Sequence, residues 1–425
     1  MFSSAASAGR RLTQNEWKTV GLVTVGALFL RALFLPFYGY PSDILKFASW
    51  LSTLSSFGIK AFYSHGVLKD YPPAAYLVLW VSAQMDKALA HHYLLLSIKL
   101  PAIIADVGIA YITYLIVRRT WTKRAALITM IIVAFNPVYW FISAYWGQND
   151  SLPAMLALWA IYLAVTDRFE LAWATLVAAG LIKPHPIVIA PLLLAWQIHR
   201  QSWTWRLLLV PVIAISLAYL ASLGFAPTHN PHGVLSWLYQ RYAMRIDRFA
   251  YNSNNAFNVY AVWENFKLSD DTLLAGFPQR YWGIAVFGSL LLAVLVRMAG
   301  GKDTTTESVE RRFYMACFSI TLGFFMLTTR MHERHNFDAM AIAPLVWNSG
   351  LLQRIVVALL WAIFIVNLLY SRILYFIPHP AHELAPGLVH SLSLLNVLCL
   401  LLIVGVYLVR FDCPQFDIDA HKSID

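Results

Sequence analysis

Hydrophobic positions along this chain fall in long blocks rather than in the alternating pattern of a strand or the one-sided stripe of a soluble helix. Apolar stretches run at about 19 to 38, 95 to 117, 125 to 143, 151 to 166, 170 to 182, 184 to 198, 204 to 225, 281 to 298, 313 to 329, 338 to 353, 355 to 376 and 389 to 410. A helix rises about 1.5 Å per residue and the hydrocarbon core is about 30 Å thick, so blocks near 20 residues are long enough to cross. The pattern predicts an all-α, polytopic integral membrane protein with about twelve transmembrane helices (11 to 13). The two blocks flanking Lys183 would reach only about 20 Å each. They are read as a short in-and-out pair whose Lys183-Pro184-His185-Pro186 turn is sheltered by protein or water.

Between the blocks lie two long polar segments, about 39 to 94 and 226 to 280, which that topology puts on the outer face. In the first, Ile44, Phe47, Trp50 and Leu51 recur at helical spacing after the start signal Pro41-Ser42-Asp43. This predicts an amphipathic helix lying on the membrane surface. Residues 1–411 read as one transmembrane domain and 412–425, polar and without periodicity, as a cytoplasmic tail. No internal repeat is visible.

Composition agrees: 59% of the 425 residues are hydrophobic and 13% charged, against about 25% charged in soluble domains. A soluble globular protein is excluded. The net charge of +10 comes from 32 basic and 22 acidic residues, without the basic run or basic-aromatic interleaving of a nucleic-acid binder. The excess is an orientation signal instead. About half of the basic residues, including Arg118, Arg119, Lys123, Arg124, Arg200, Arg206, Arg311 and Arg312, fall in short loops or tails on one side, which the positive-inside rule makes cytoplasmic. Arg10, Arg11 and Lys18 precede the first block with no small-residue cleavage site after it, so it reads as a retained span. Cys317, Cys399 and Cys413 offer neither a disulfide framework nor a metal site.

The outer side collects different chemistry. Ser42-Asp43, Lys69-Asp70-Tyr71-Pro72-Pro73, Trp146-Gly147-Gln148-Asn149-Asp150, Lys183-Pro184-His185-Pro186, Tyr251-Asn252-Ser253-Asn254-Asn255 and His332-Glu333-Arg334-His335-Asn336 mix carboxylates, imidazoles, amides and aromatics. Wet turns are polar anyway, but this mixture, set against inner loops of Arg and Lys, is what an active site requires.

These clusters, in this order, resemble the polyprenyl-phosphate-sugar-dependent glycosyltransferases of the GT-C superfamily. The resemblance rests on Asp43 just after the first span, Phe47 and Trp50, Phe62-Tyr63, Asp70-Tyr71-Pro72-Pro73 with Tyr76, Trp146 to Asp150, Lys183-Pro184-His185, Asn255-Ala256-Phe257-Asn258 and His332-Glu333-Arg334-His335. It covers roughly residues 15 to 350 and is greatest with the prokaryotic set related to the second mannosyltransferase of GPI-anchor assembly. The Asp-Tyr-Pro-Pro segment is also similar to the dolichyl-phosphate-glucose glucosyltransferases. His185 stands where Gln is commoner in the bacterial set, and Asn336 where an apolar residue is.

The resemblance implies an inverting transfer of one hexose, mannose or glucose, from a polyprenyl- or dolichyl-phosphate carrier to a glycolipid, glycan or protein acceptor. It would take place on the extracytoplasmic face of a bacterial or archaeal cytoplasmic membrane rather than in the endoplasmic reticulum. Phosphate is a good leaving group, so one carboxylate base and a cationic clamp suffice where a glycosidase needs two carboxyls. Asp43 is the candidate base, with an N-cap of the surface helix as the plain alternative. Asp70 is a second catalytic carboxylate or ordinary turn chemistry. Lys183, His185, His332, Arg334 and His335 are candidates for the donor phosphate, although a terminal Lys can simply snorkel. Tyr71, Trp146, Gln148, Asn149, Asp150, Asn254 and Asn255 are candidates for sugar or acceptor contacts, with interfacial or turn roles as alternatives. His-Glu-Arg-His is not the His-Glu-x-x-His zinc pattern, so no metal or other cofactor is expected. Arg31 and Asp106, polar groups inside apolar blocks, are expected to pair structurally. The rival class is a transporter or lipid flippase built on the broken 170 to 198 pair.

Overall fold

A computed structural model of the chain describes residues 12–65, 69–201, 204–246, 249–264, 266–300, 305–377 and 384–410. The expected tail at 412–425 and Arg10, Arg11 and Cys413 lie outside the described residues. The fold is helical: α1 (Gln14–Ala32), α2 (Pro41–Ala61), α3 (Pro73–Ala88), α4 (Leu94–Thr120), α5 (Lys123–Phe135), α6 (Ser151–Val165), α7 (Phe169–Ile182), α8 (Ala190–Gln201), α9 (Leu209–Leu223), α10 (Pro231–Ile246), α11 (Gln279–Ala299), α12 (Thr306–Leu327), α13 (Leu351–Phe376) and α14 (Pro386–Arg410). Short helices Phe337–Ile342 and Pro344–Trp347 link α12 to α13. Strands are confined to two two-residue pairs among the described residues.

Each expected apolar block falls mainly on helical backbone. Six helical segments are long and apolar enough to cross a membrane: Leu94–Thr120, Lys123–Trp146, Trp205–Leu223, Gln279–Ala299, Leu351–Phe376 and Pro386–Val409. The other described helices fall short in length or in apolar composition. Large apolar side chains stand exposed on α1 (Leu22, Phe29), α11 (Ile284, Leu292) and α14 (Leu401, Val409), the arrangement of a protein whose solvent is lipid. Inside, α4 packs against α5 and α6, and α6 against α7. Arg31 and Asp106 meet at 2.6 Å in this interior, and Ser143 also donates to Asp106 at 2.9 Å. The pair ties α1 to α4 as expected of buried charges in an apolar block.

The amphipathic stripe of α2 differs from expectation. Ile44, Phe47, Trp50 and Leu51 are buried with Tyr76 and Leu79 of α3, Phe225, and Trp237 and Leu238 of α10. The stripe therefore faces protein rather than lipid, and the first long segment folds as a second small core capping one end of the bundle.

Candidate active site

Asp43 is placed by its approach to α2. The chain leaving α1 is pinned by the buried Lys99, whose Nζ donates to the carbonyls of Phe34 (3.1 Å), Leu35 (3.3 Å) and Phe37 (2.5 Å). It then passes so close to residues 145 and 146 that a Cβ on Gly39 would lie 1.9 Å from the Tyr145 carbonyl oxygen, with φ at +40°. Pro41 opens α2, its fixed φ suiting a first helical position. Tyr40, not Asp43, is the N-cap, and no side chain caps the helix. The plain capping alternative for Asp43 therefore fails. Its carboxylate, 8% exposed in the first helical turn, accepts hydrogen bonds from Trp146 Nε1 (2.9 Å) and Gln148 Nε2 (2.7 Å). The positive end of α2 also favours the charge.

The partners come from a second break. Asn136-Pro137 ends α5, a single π-helical turn follows over Phe141–Trp146, and Gly147 takes a left-handed conformation at φ +86°. Such turns re-aim side chains and recur at functional sites. Here the turn directs Trp146 and Gln148 toward Asp43, while Asp150 meets Lys183. Trp146 is fully enclosed, with Tyr40 stacked on it at 4.6 Å and its N–H spent on Asp43. A sugar-stacking face is therefore replaced by a carboxylate-holding role. Gln148 faces both ways, its oxygen accepting from the Tyr71 hydroxyl at 3.0 Å. Asn149 is 3% exposed with its side-chain oxygen unpartnered.

A cationic wall completes the site. Lys183, in the turn after α7, donates to Asp150 at 2.7 Å and lies 5.0 Å over the Tyr71 ring. Burial opposes its charge, but Asp150 holds it protonated above the ordinary lysine range. Arg334 pairs with Glu333 at 3.1 Å. Burial works against its charge too, yet Asp43 and Glu333, within electrostatic reach, hold it firmly cationic. Burial pushes Glu333 up, and Arg334 pulls it back.

Three histidines line the same wall. The rings of His185 and His335 are 3.9 Å apart and those of His332 and His335 5.1 Å. His335 Nδ1 accepts the His332 amide at 3.2 Å, which puts its proton on Nε2. Burial, with Lys183 and Arg334 nearby, lowers all three, His185 to about 4. They are neutral at pH 7 and offer N–H donors rather than charge. Among the described residues no group of three or more His, Cys, Asp or Glu is placed to hold a metal ion.

Of the remaining candidates, Asn254 reaches the wall. Its strand Ser253–Asn254 pairs in parallel with Met331–His332, and its Nδ2 lies 3.4 Å from His332 Nε2. Asn255 takes the left-handed turn conformation, φ +62°, and its carbonyl accepts from Asn367 at 2.7 Å, which is a loop-closing role. Asp70 pairs with Lys46 at 3.2 Å. Tyr40 and Glu333 belong to the site without having been singled out. Glu333 sat in plain view between two candidate residues, while nothing in the sequence marks Tyr40 as a partner of Trp146.

Residues 70–331 match the family model described as glycosyltransferase family 87. A comparison with curated proteins gives no match. Among solved structures the chain is similar to the archaeal oligosaccharyltransferase AglB from Archaeoglobus fulgidus, determined in complex with an inhibitory peptide and a dolichol-phosphate. Identity is 14%, the TM-score is 0.47, and the alignment covers 93% of this chain. The chain spans 56% of that protein's length.

Proposed function

Because the chain belongs to glycosyltransferase family 87, we propose that this membrane glycosyltransferase moves one hexose, mannose or glucose, from a polyprenyl-phosphate carrier to a hydroxyl acceptor with inversion. The observation that carries this reading is the Asp43 carboxylate, buried, held by Trp146 and Gln148, and facing the cationic Arg334. The acceptor oxygen attacks the anomeric carbon as Asp43 takes its proton. The bond from that carbon to the phosphate oxygen breaks on the opposite face, and the electron pair leaves with the phosphate. One displacement inverts the centre.

Arg334 and Lys183 stabilise the charge developing on the phosphate, and the neutral histidines donate N–H bonds to it. Asn149, next to Gln148 and with a buried side-chain oxygen that has no partner, is the candidate for a sugar hydroxyl. The acceptor class proposed is a glycolipid, a growing glycan or a protein. The site works on the extracytoplasmic face of a bacterial or archaeal membrane. No cofactor enters the reaction as written.

Purified protein offered radiolabelled polyprenyl-phosphate mannose or glucose with membrane lipid extract is expected to transfer one of them. Asp43→Asn should reduce kcat by about 10²–10⁴ with folding intact, the usual worth of a positioned base. Full activity in that variant removes Asp43 from the mechanism. Arg334→Ala should weaken donor binding more than acceptor binding; unchanged donor affinity refutes the clamp.

A further inference from the structure

At the opposite end of the bundle from Asp43, the turn between α4 and α5 meets the short helix Pro344–Trp347 and the start of α13 around a cleft of about 250 Å³. Thr122, Arg124 and Ile128 line one side, and Trp347, Asn348 and Arg354 the other. The 24-residue segment Lys123–Trp146, broken at Asn136-Pro137, runs from this cleft to the carboxylate site. Nothing in the proposed transfer reaction uses it.

The charges around this end are not alike. Arg118 and Lys123 pair with Glu16, Arg119 with Glu310, Arg200 with Asp167 and Arg206 with Glu170. Among the described residues Arg124 and Arg354 have no carboxylate partner; Arg354 Nε donates only to the Trp347 carbonyl, at 3.3 Å. Two uncompensated guanidinium groups on one concave surface, beside the positive N-terminus of α5, form a cradle for a phosphate anion. The volume is below the roughly 300–1,000 Å³ of pockets that enclose whole small molecules, and suits a headgroup rather than a complete ligand.

The surroundings say what the phosphate is attached to. From the cleft an exposed apolar ridge runs along α5 through Ile128, Ile131 and Phe135, and a second along α13 through Leu351, Ile355 and Leu359. Their spacings of three and four residues put each ridge on one helix face. A free anion has no use for them, whereas two acyl chains do. We propose that this cleft binds the phosphodiester headgroup of an anionic membrane phospholipid, with Arg124 and Arg354 on the phosphate and the acyl chains along α5 and α13. Basic pockets between helices at the positively charged face of a membrane protein are where such headgroups bind.

The test uses full-length protein stripped of lipid in a neutral detergent. It is titrated with dioctanoyl phosphatidylglycerol, dioctanoyl phosphatidylcholine and inorganic phosphate, and occupancy is read by native mass spectrometry. Saturable binding of phosphatidylglycerol is expected, weaker for phosphatidylcholine, with little competition from inorganic phosphate. Arg124→Gln or Arg354→Gln alone should weaken phosphatidylglycerol binding about five-fold, the worth of one arginine near a lipid surface, and the double variant about 25-fold. Both side chains are exposed, so the single variants should fold even if the double does not. Unchanged affinity in the single variants overturns the proposal. Inorganic phosphate competing at the lipid's own concentration overturns the lipid assignment and leaves a free-anion site.

Discussion

Gln148 bridges Asp43 and Tyr71: its Nε2 donates to the carboxylate at 2.7 Å while its Oε1 accepts from the phenol at 3.0 Å. An ionised carboxylate can only accept, so the amide must turn its NH2 to Asp43, which leaves its oxygen for the phenol and fixes the direction of both bonds. Gln148→Glu would set a second carboxylate against Asp43 and remove the donor. It is expected to lower kcat on the order of 10²-fold, the lower end of what a positioned base contributes. Tyr71→Phe, which leaves the donor bond to Asp43 in place, should cost several-fold less. Equal losses in single-turnover assays of the two variants would show that the bridge does not position the base.

Gly39 makes the close approach that aims Asp43, and Gly58 is the control outside it. Both have positive φ, +40° and +67°, and Gly58 with ψ at −175° sits in a region essentially reserved for glycine, so a Cβ strains either one by on the order of 1–3 kcal/mol. At Gly58 nothing lies within 4 Å; at Gly39 the Cβ would collide with the backbone of residues 145 and 146. Gly39→Ala is therefore expected to lower thermal stability more than Gly58→Ala, by a further 1–3 kcal/mol or so, the usual cost of overpacking. It should also impair transfer, because the shift must displace Trp146 from Asp43. Matching melting temperatures and activities in detergent would remove the packing argument.

Lys183 and Asp150 are both nearly fully buried and bond at 2.7 Å. Lys183→Met leaves the Asp150 charge uncompensated, and breaking a buried pair from one side typically costs about 3–5 kcal/mol. Adding Asp150→Asn should restore much of that stability, since no buried charge then remains unpaired. Donor binding should stay impaired in the double variant, because its cation is gone. A double-mutant cycle on melting temperature gives the first result and donor titration the second. Additive destabilisation would deny the pairing, and restored donor affinity would deny Lys183 a place at the phosphate.

Legibility in the sequence followed the distance over which a contact acts. Apolar blocks mark helices because each block carries its own period and length, and Arg31 and Asp106 were readable as partners because a charge inside such a block has few alternatives. The polar clusters were legible one at a time. Their contacts were not: Asp43 meets Gln148 across 105 residues, and Glu333 joins the site through Arg334 and its reach to Asp43. The stripe of α2 shows the limit of periodicity, which finds an apolar face but not what covers it. Lipid and the Phe225–Trp237–Leu238 cluster satisfy Ile44 and Trp50 equally well on a helical wheel, and only the tertiary fold chooses between them. Trp146 is similar: an aromatic at a helix end reads as an interfacial anchor until Tyr40 is seen stacked on it.

With the donor phosphate bound beside them as proposed, the three histidines are expected to make stability and donor affinity respond to pH in opposite senses. Burial and the nearby Lys183 and Arg334 keep His185 neutral down to about pH 4, and lower His332 and His335 as well. In the unfolded chain each titrates near its ordinary value of about 6.5. Between those values the unfolded state binds more protons than the folded one, so stability falls as pH falls. The slope is up to about 1.4 kcal/mol per pH unit for each imidazole. Above pH 7 this contribution is flat. His185→Gln should therefore reduce the loss of melting temperature between pH 7 and pH 5. A bound phosphate does the reverse: its negative charge raises the same pKa values, so binding takes up protons and affinity rises as pH falls. The phosphate monoester's own second ionisation near 6 opposes this, but equally in wild type and variant. Titrating a polyprenyl phosphate at pH 7.5 and pH 6 should therefore show the wild type favoured at pH 6 relative to His185→Gln. The same pH response in both proteins would place these imidazoles outside the phosphate site.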